Sequence, residues 1–125
     1  MQQILAIGLG GCLGALARHG CNVLLQKHTD FPWSTFAANM TGCLLMGAVM
    51  ALVLDRKFLP DPWYALISVG FLGSLTTFST FSFQTLELLN ESRFGPALGN
   101  LLLNVLVGLT AVWLGMKLVR LITVS

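Results

Sequence analysis

Aromatic and polar side chains fall together in the middle of a long apolar segment, between residues 70 and 83. Phe78 and Phe81 are three residues apart, which places both on one face of a helix. The edge of an aromatic ring carries partial positive charge, so two ring edges beside a polar break could contact an anion. The alternative is that the phenylalanines only pack and the neighbouring hydroxyls bond back to their own helix.

The same stretch is predicted to interrupt the helix that carries it. It holds the glycines Gly70 and Gly73, together with three serines and three threonines. In lipid every backbone group must be satisfied internally, so a break is stable only where it is buried in protein or lines a wet path. We therefore expect a broken helix near the middle of a membrane.

Three asparagines lie inside other apolar segments. Asn39 comes three residues before a glycine, and its amide N–H could face an anion, although helix-to-helix hydrogen bonding is the alternative. Asn100, Asn104 and Gly108 recur every four residues and form one stripe along a helix. Because such side chains destabilise a span unless they are paired or hydrated, we favour a polar track along this stripe.

The composition places these residues in a membrane. Of the 125 residues, 55% are hydrophobic and 10% are charged, whereas a soluble domain carries roughly 25% charged residues. A spanning helix takes about 20 residues, so four spans nearly exhaust the chain. We predict an all-α integral membrane protein with one transmembrane domain, residues 1–125, and spans at about 3–25, 34–54, 63–90 and 97–122, the third of them broken near mid-membrane.

Several other functions are disfavoured by the sequence. Cys12, Cys21 and Cys43 lack metal-ligand spacing and are interpreted as free, buried thiols. A net charge of +2 without a basic patch argues against a nucleic-acid partner. No nucleophile–base pair or metal cluster is visible, so we do not expect an enzyme.

The distribution of basic residues suggests two orientations in the membrane. Both chain ends lie on one side of four spans, together with four basic residues: Arg56, Lys57, Lys117 and Arg120. The opposite side has Lys27 and Arg93, joined by Arg18 if that side chain extends to the interface. This bias is weak under the positive-inside rule, so the chain could insert either way up. Two opposite copies could then form an antiparallel homodimer in which the two helix breaks meet.

Three segments, residues 10–18, 39–42 and 70–81, resemble the bacterial fluoride channels of the Fluc family, also called CrcB. The string Thr-Thr-Phe-Ser-Thr-Phe at 76–81 is highly specific, and the resemblance covers essentially the whole chain in order. It implies a dual-topology homodimer with four helices per subunit and two antiparallel fluoride pores, each lined by both chains. The implied activity is passive, fluoride-selective export across the bacterial inner membrane, which lowers the toxicity of cytoplasmic fluoride.

The resemblance also implies roles for particular residues. Six would line the fluoride pore: Asn39, Phe78, Ser79, Thr80, Phe81 and Asn104. Arg18 matches an arginine near the pore vestibule. Gly73 and Thr76 match positions whose backbone carbonyls, from both chains, hold a structural Na⁺ at the dimer interface.

The chain departs from this pattern at two positions. Gln84 stands where relatives often carry glutamate, and Gly108 stands where the polar track carries a hydroxyl. Gln84 keeps a donor but has no charge and no titrating proton, and Gly108 leaves a gap in the track.

Two other functions remain as alternatives. One is a small four-helix, dual-topology multidrug exporter, but proton-coupled export needs a carboxylate near mid-membrane, and Glu87 and Glu91 lie near a helix end. The other is a non-transporting membrane assembly subunit. That function would explain the small residues of span one, such as Gly10 and Gly14, but not the phenylalanine pair or the asparagine stripe.

Overall fold

The four predicted spans are helical over nearly the expected ranges. A computed structural model describes residues 1–25, 31–56 and 59–123 of the chain. The elements in order are α1 (Gln2–Leu25), α2 (Trp33–Arg56), α3 (Asp61–Tyr64), a π-helix (Ala65–Leu72), α4 (Gly73–Leu75), α5 (Phe78–Asn90) and α6 (Phe94–Thr123). Lys27 and Lys57, two of the charges used to predict orientation, lie outside the described residues.

Four helical segments within the described ranges are long and apolar enough to cross a membrane: Gln2–Leu25, Trp33–Asp55, Asp61–Asn90 and Phe94–Thr123. Many large apolar side chains on their surfaces are exposed, including Leu5, Leu106 and Leu109. Lipid tails suit such a surface, whereas water would not. The predicted all-α membrane architecture is therefore confirmed.

α1 packs closely along the third span because two of its residues lack a side chain. A Cβ at Gly10 would strike the carbonyl of Leu66, and a Cβ at Gly14 would strike the carbonyl of Phe71. The predicted small-xxx-small contact face is thus confirmed, and its partner is the π-helix of the same chain.

α2 and α6 approach each other in the same way. A Cβ at Gly47 would strike the carbonyl of Val112, and a Cβ at Gly115 would strike the carbonyl of Leu44. The two helix pairs, α1 with the π-helix and α2 with α6, then meet around a small core of Ala38, Leu72 and Leu75. Leu72 and Leu75 of this core directly precede, in sequence, the point where the third span breaks.

α6 begins earlier than the predicted start at residue 97. Its first turn contains Pro96, and proline is tolerated there because the first N–H groups of a helix need no intrahelical partner. The preceding turn is closed by two backbone bonds, from the Arg93 N–H to the Leu88 carbonyl (2.9 Å) and from the Ser92 N–H to the Leu89 carbonyl (3.0 Å). Ser92 adopts a positive φ of 59° at this turn.

Candidate functional site

The third span breaks at Thr76 and Thr77. Both are extended, with φ and ψ of −80° and 154° at Thr76 and −150° and 115° at Thr77. The predicted break is therefore confirmed, but its glycines do not form it. Gly70 lies in the π-helix, and Gly73 has helical angles of −62° and −32°.

Thr77 caps the helix that follows the break. Its Oγ1 accepts a hydrogen bond from the Thr80 N–H at 3.2 Å and donates one to Thr80 Oγ1 at 3.0 Å. Ser79 Oγ lies 3.2 Å from the same hydroxyl. A threonine in this position satisfies one of the free N–H groups at the start of a helix, so α5 can begin inside the membrane.

Asn39 on α2 satisfies the backbone of the break itself. Its Oδ1 accepts from the Thr77 N–H at 2.8 Å, and its Nδ2 donates to the Thr77 carbonyl at 3.3 Å. The same Nδ2 donates to Asn104 Oδ1 on α6 at 3.1 Å. One carboxamide therefore ties α2, the break and α6 together.

The predicted asparagine stripe of α6 continues this network. Asn104 Nδ2 donates to the carbonyl and to Oδ1 of Asn100, at 3.0 and 2.9 Å. Asn100 is fully buried (0% exposed) and its Nδ2 donates to Thr85 Oγ1 at 2.8 Å. The Thr85 hydroxyl donates to the Phe81 carbonyl at 2.8 Å. Asn100 thus joins α6 to α5.

The carbonyls of Gly73 and Thr76 are not bonded by the N–H groups that would bond them in a continuous helix. In an unbroken helix the Thr77 N–H would bond the Gly73 carbonyl, but here it donates to Asn39. Likewise the Thr80 N–H, which would bond the Thr76 carbonyl, donates to Thr77 Oγ1.

The two phenylalanines lie side by side, as their spacing predicted. Their ring centroids are 5.7 Å apart with the planes tilted by 53°. Phe81 is buried, with 6% of its surface exposed, whereas Phe78 is 79% exposed. Ser79 and Thr80, between them, are also exposed. A single chain therefore leaves one side of this turn uncovered.

A cavity of about 330 Å³ collects most of the predicted pore residues. Asn39, Phe78, Phe81 and Asn104 line it. The other lining residues are the two threonines of the break and a largely apolar group: Thr76, Thr77, Met40, Gly42, Cys43, Met46, Val105 and Val112. Ser79, Thr80, Gly73 and Arg18 do not line it. Arg18 is half-buried on α1, one turn after Gly14.

Two residues of the network were not singled out from the sequence. Thr77 caps α5 and bonds Asn39. The sequence feature that could have identified it is a hydroxyl residue three positions before Thr80, at the start of a helix. Thr85 bridges α5 and α6. The sequence feature that could have identified it is its position one turn after Phe81, on the same helix face. The alternative role for the hydroxyls also occurs, because Thr76 Oγ1 bonds back to the Leu72 carbonyl at 3.0 Å.

The two departures from the family pattern have distinct surroundings. Gly108 is buried, and a Cβ there would lie 3.5 Å from Met40 Cε and 3.6 Å from Cys43 Sγ, which are ordinary contact distances. The Oε1 atom of Gln84 is buried without a hydrogen-bond partner among the described residues. The prediction of three buried thiols is corrected here: Cys21 and Cys43 are half-buried, and Cys12 is exposed, because α1 turns that face away from the third span.

Comparison with known proteins is consistent with this geometry. The family model described as "CrcB-like protein, Camphor Resistance (CrcB)" matches residues 5–116. A protein of Shewanella amazonensis named fluoride-specific ion channel FluC is 42% identical over 121 residues, covering 95% of this chain and 97% of that protein.

Two further relatives match over similar lengths. Fluoride-specific ion channel FluC 2 of Symbiobacterium thermophilum is 43% identical over 114 residues, covering 90% of this chain and 93% of the relative. The FluC protein of Acidobacterium capsulatum is 40% identical over 117 residues, covering 92% and 94%. With a family model over nearly its whole length and such relatives, the chain belongs to the CrcB family.

Proposed function

We propose that this chain is a fluoride-specific ion channel of the bacterial inner membrane, and not an enzyme. Relatives that carry this name match 90–95% of the chain. The structural observation that carries the proposal is the helix break at Thr76 and Thr77, which borders a cavity lined by two phenylalanine rings and two asparagines. In the membrane interior such a break is stable only where protein or a polar path surrounds it.

The cavity suits passage of a small anion. Fluoride is strongly hydrated, so a pore must replace its water and still release it. Among the described residues, no side chain that lines the cavity carries a formal charge, and the ring edges of Phe78 and Phe81 supply weak positive potential. Ser79 and Thr80 add exposed hydroxyls next to the rings. Arg18, on the neighbouring helix, adds a positive charge that would attract anions towards the vestibule.

The pore is completed by a second copy in the opposite orientation. Gly73 supports this step, because its φ is helical and the nearest atom to a Cβ there is the Ser68 carbonyl at 3.8 Å. Neither backbone conformation nor packing within one chain requires glycine at this position. Close approach of a partner chain would require it, and the same partner would cover exposed Phe78. Each antiparallel homodimer would contain two pores.

A structural Na⁺ fits the carbonyls released by the break. Na⁺ takes oxygen ligands, and backbone carbonyls at unwound helix segments supply them in membrane proteins. Gly73 and Thr76 would each offer one carbonyl, and the partner would offer the equivalent pair. When bound, the ion supplies positive charge that joins the subunits and offsets the negative potential of these oxygens.

The alternative functions fit the site less well. Within the described ranges, no carboxylate lines the cavity. Glu87 and Glu91 are exposed near the end of α5, and Asp55 pairs with Arg120 at 2.6 Å. Proton-coupled export of a drug needs such a carboxylate near mid-membrane. A non-transporting subunit gives no reason for a cavity at the break.

The experiment that tests the proposal is ion efflux from liposomes containing the purified protein. Vesicles loaded with potassium fluoride or potassium chloride are opened to K⁺ with valinomycin, and the released anion is measured with an electrode. We expect rapid fluoride efflux and chloride efflux at the level of protein-free vesicles. Uptake of a cationic dye without fluoride efflux would indicate the exporter, and no transport at all would indicate the assembly subunit.

A further inference from the structure

We infer that Asn100 and Thr85, two residues outside the cavity, are positioning residues for fluoride conduction. This inference rests on the proposed function. Asn100 is completely buried and Thr85 is half-buried, and neither lines the cavity. They act through a chain of side-chain hydrogen bonds that links the helix break to the turn carrying Phe81.

At each end of this series of hydrogen bonds, a backbone group fixes which atom is the donor and which is the acceptor. At one end the Thr77 N–H can only donate, so the atom of Asn39 that faces it is Oδ1. At the other end the Phe81 carbonyl can only accept, so the Thr85 hydroxyl donates to it. The Thr85 oxygen is then free to accept from Asn100 Nδ2.

The hydrogen bonds between these two ends all run the same way, from a donor on the side of the break to an acceptor on the side of Phe81. Asn39 Nδ2 donates to Asn104 Oδ1, so Asn104 Nδ2 faces Asn100, where it meets two acceptors. Reversing any one carboxamide would place donor against donor or acceptor against acceptor. Each asparagine therefore has a single orientation, and that orientation depends on its neighbours.

This network also consumes the donors of the two cavity asparagines. The Asn39 amide donates to the Thr77 carbonyl and to Asn104, and the Asn104 amide donates twice to Asn100. Neither amide has an N–H left for an ion in this arrangement. Their contribution is to hold the break and the Phe81 turn at a fixed separation, and the ring edges of Phe78 and Phe81, with the exposed hydroxyls of Ser79 and Thr80, remain to contact fluoride.

Thr85 and Asn100 complete this link, because they are its last two members before the Phe81 carbonyl. Removal of the Thr85 hydroxyl leaves the Asn100 amide without its acceptor in a buried site. The Asn100 side chain then no longer ties α6 to the Phe81 turn of α5, and the cavity is held less firmly in one shape.

The test compares hydroxyl removal inside the network with hydroxyl removal outside it. Thr85→Val keeps the shape of the side chain but removes the hydroxyl, and Thr85→Ser keeps the hydroxyl. Thr110→Val is the matched control, because the Thr110 hydroxyl makes the same bond to a carbonyl one turn earlier, Leu106, at 2.8 Å on an exposed face of α6. Thr85→Ala removes the hydroxyl with a smaller side chain.

The readouts are the initial fluoride efflux rate, the ratio of fluoride to chloride efflux, and the elution volume of the purified protein. We expect Thr85→Val and Thr85→Ala to lower the fluoride rate about tenfold and to reduce the selectivity ratio. Thr85→Ser and Thr110→Val should conduct like the unmodified protein.

Normal conduction and selectivity in either hydroxyl-free variant that assembles correctly would overturn the inference, as would equal losses in Thr85→Val and Thr110→Val. A different result overturns the proposed function itself: absence of fluoride efflux in the unmodified protein. The two failures are therefore distinguishable in one set of vesicles.

Discussion

Asn39 forms hydrogen bonds with both the backbone N–H and the backbone carbonyl of Thr77, although 38 positions separate the two residues in sequence. Its carboxamide replaces the backbone partners that Thr77 would have in a continuous helix. The break can therefore persist in a region without water.

The first prediction follows from this pair. Asn39→Asp keeps an acceptor for the Thr77 N–H but cannot donate to the Thr77 carbonyl or to Asn104, and it adds a negative charge beside the anion path. We expect fluoride efflux to fall at least tenfold and stability to fall by about 1–3 kcal/mol. Asn39→Ser keeps a donor and should be milder. Normal efflux in the aspartate variant would make Asn39 a helix-packing residue only.

The second prediction concerns the ring edges. Phe78→Ile and Phe81→Ile fill similar space but offer no positive ring edge, so each should reduce fluoride efflux sharply while the dimer survives. Because Phe81 is buried, its replacement should also lower stability by up to about 1.5 kcal/mol. Phe83→Ile is the control, since Phe83 is 64% exposed on the same helix and does not line the cavity. If all three variants conduct equally, the rings serve packing alone.

The third prediction separates two glycines of α6. Gly108→Ala adds a methyl group at contact distance from Met40 and Cys43, so we expect normal assembly. Gly115→Ala drives its Cβ into the Leu44 carbonyl and should separate α2 from α6, with a loss of about 1–3 kcal/mol. Thermal unfolding in detergent measures both. Equal melting temperatures would contradict the close approach of these helices.

The fourth prediction concerns the partner chain and the sodium ion. A C-terminal tag should be accessible from both sides of the membrane. Rigorous removal of Na⁺ from the purified dimer should abolish activity, with Li⁺ or K⁺ replacing it poorly. Gly73→Ala has room within one chain and should fold, yet its methyl group would face the partner, so the dimer should weaken. A tag on one side only, with efflux indifferent to Na⁺, would refute this part of the proposal.

The fifth prediction concerns the turn after α5. Ser92 holds a φ of 59°, a region that destabilises residues with a Cβ. Ser92→Gly removes that strain without touching the cavity, and we expect a gain of about 0.5–1 kcal/mol. Unfolding experiments should show higher stability with unchanged efflux; lower stability would mean that the serine side chain has a contact of its own.

The sequence predicted the helices well because each is a long apolar run, and it predicted the break because hydroxyl residues cluster in one such run. The predicted stretch contains the break, but the two glycines given as part of its cause, Gly70 and Gly73, are helical. Glycine permits a break but does not impose one, and at Gly70 the close approach of α1 accounts for the small residue. The extended conformation of Thr77 depends on Asn39 in another helix, which no local pattern indicates.

Only part of the site was predicted, because local sequence patterns do not indicate contacts between helices. Asn39, Phe78, Phe81 and Asn104 could be chosen because polar or aromatic residues at mid-span are conspicuous. Thr85 was not, because a threonine in an apolar helix usually bonds back to its own carbonyl. Thr85 makes this ordinary bond, and only the arrangement of α5 against α6 reveals that it also accepts from Asn100.

Valinomycin-triggered fluoride efflux, recorded with an electrode at matched protein density, tests the central claim most directly. The comparison is between the unmodified protein and the double variant Phe78→Ile with Phe81→Ile. Fluoride conduction through the cavity at the break predicts fast efflux from the first set of vesicles and efflux near that of protein-free vesicles from the second. Equal efflux from the two sets, or none from the first, would contradict it.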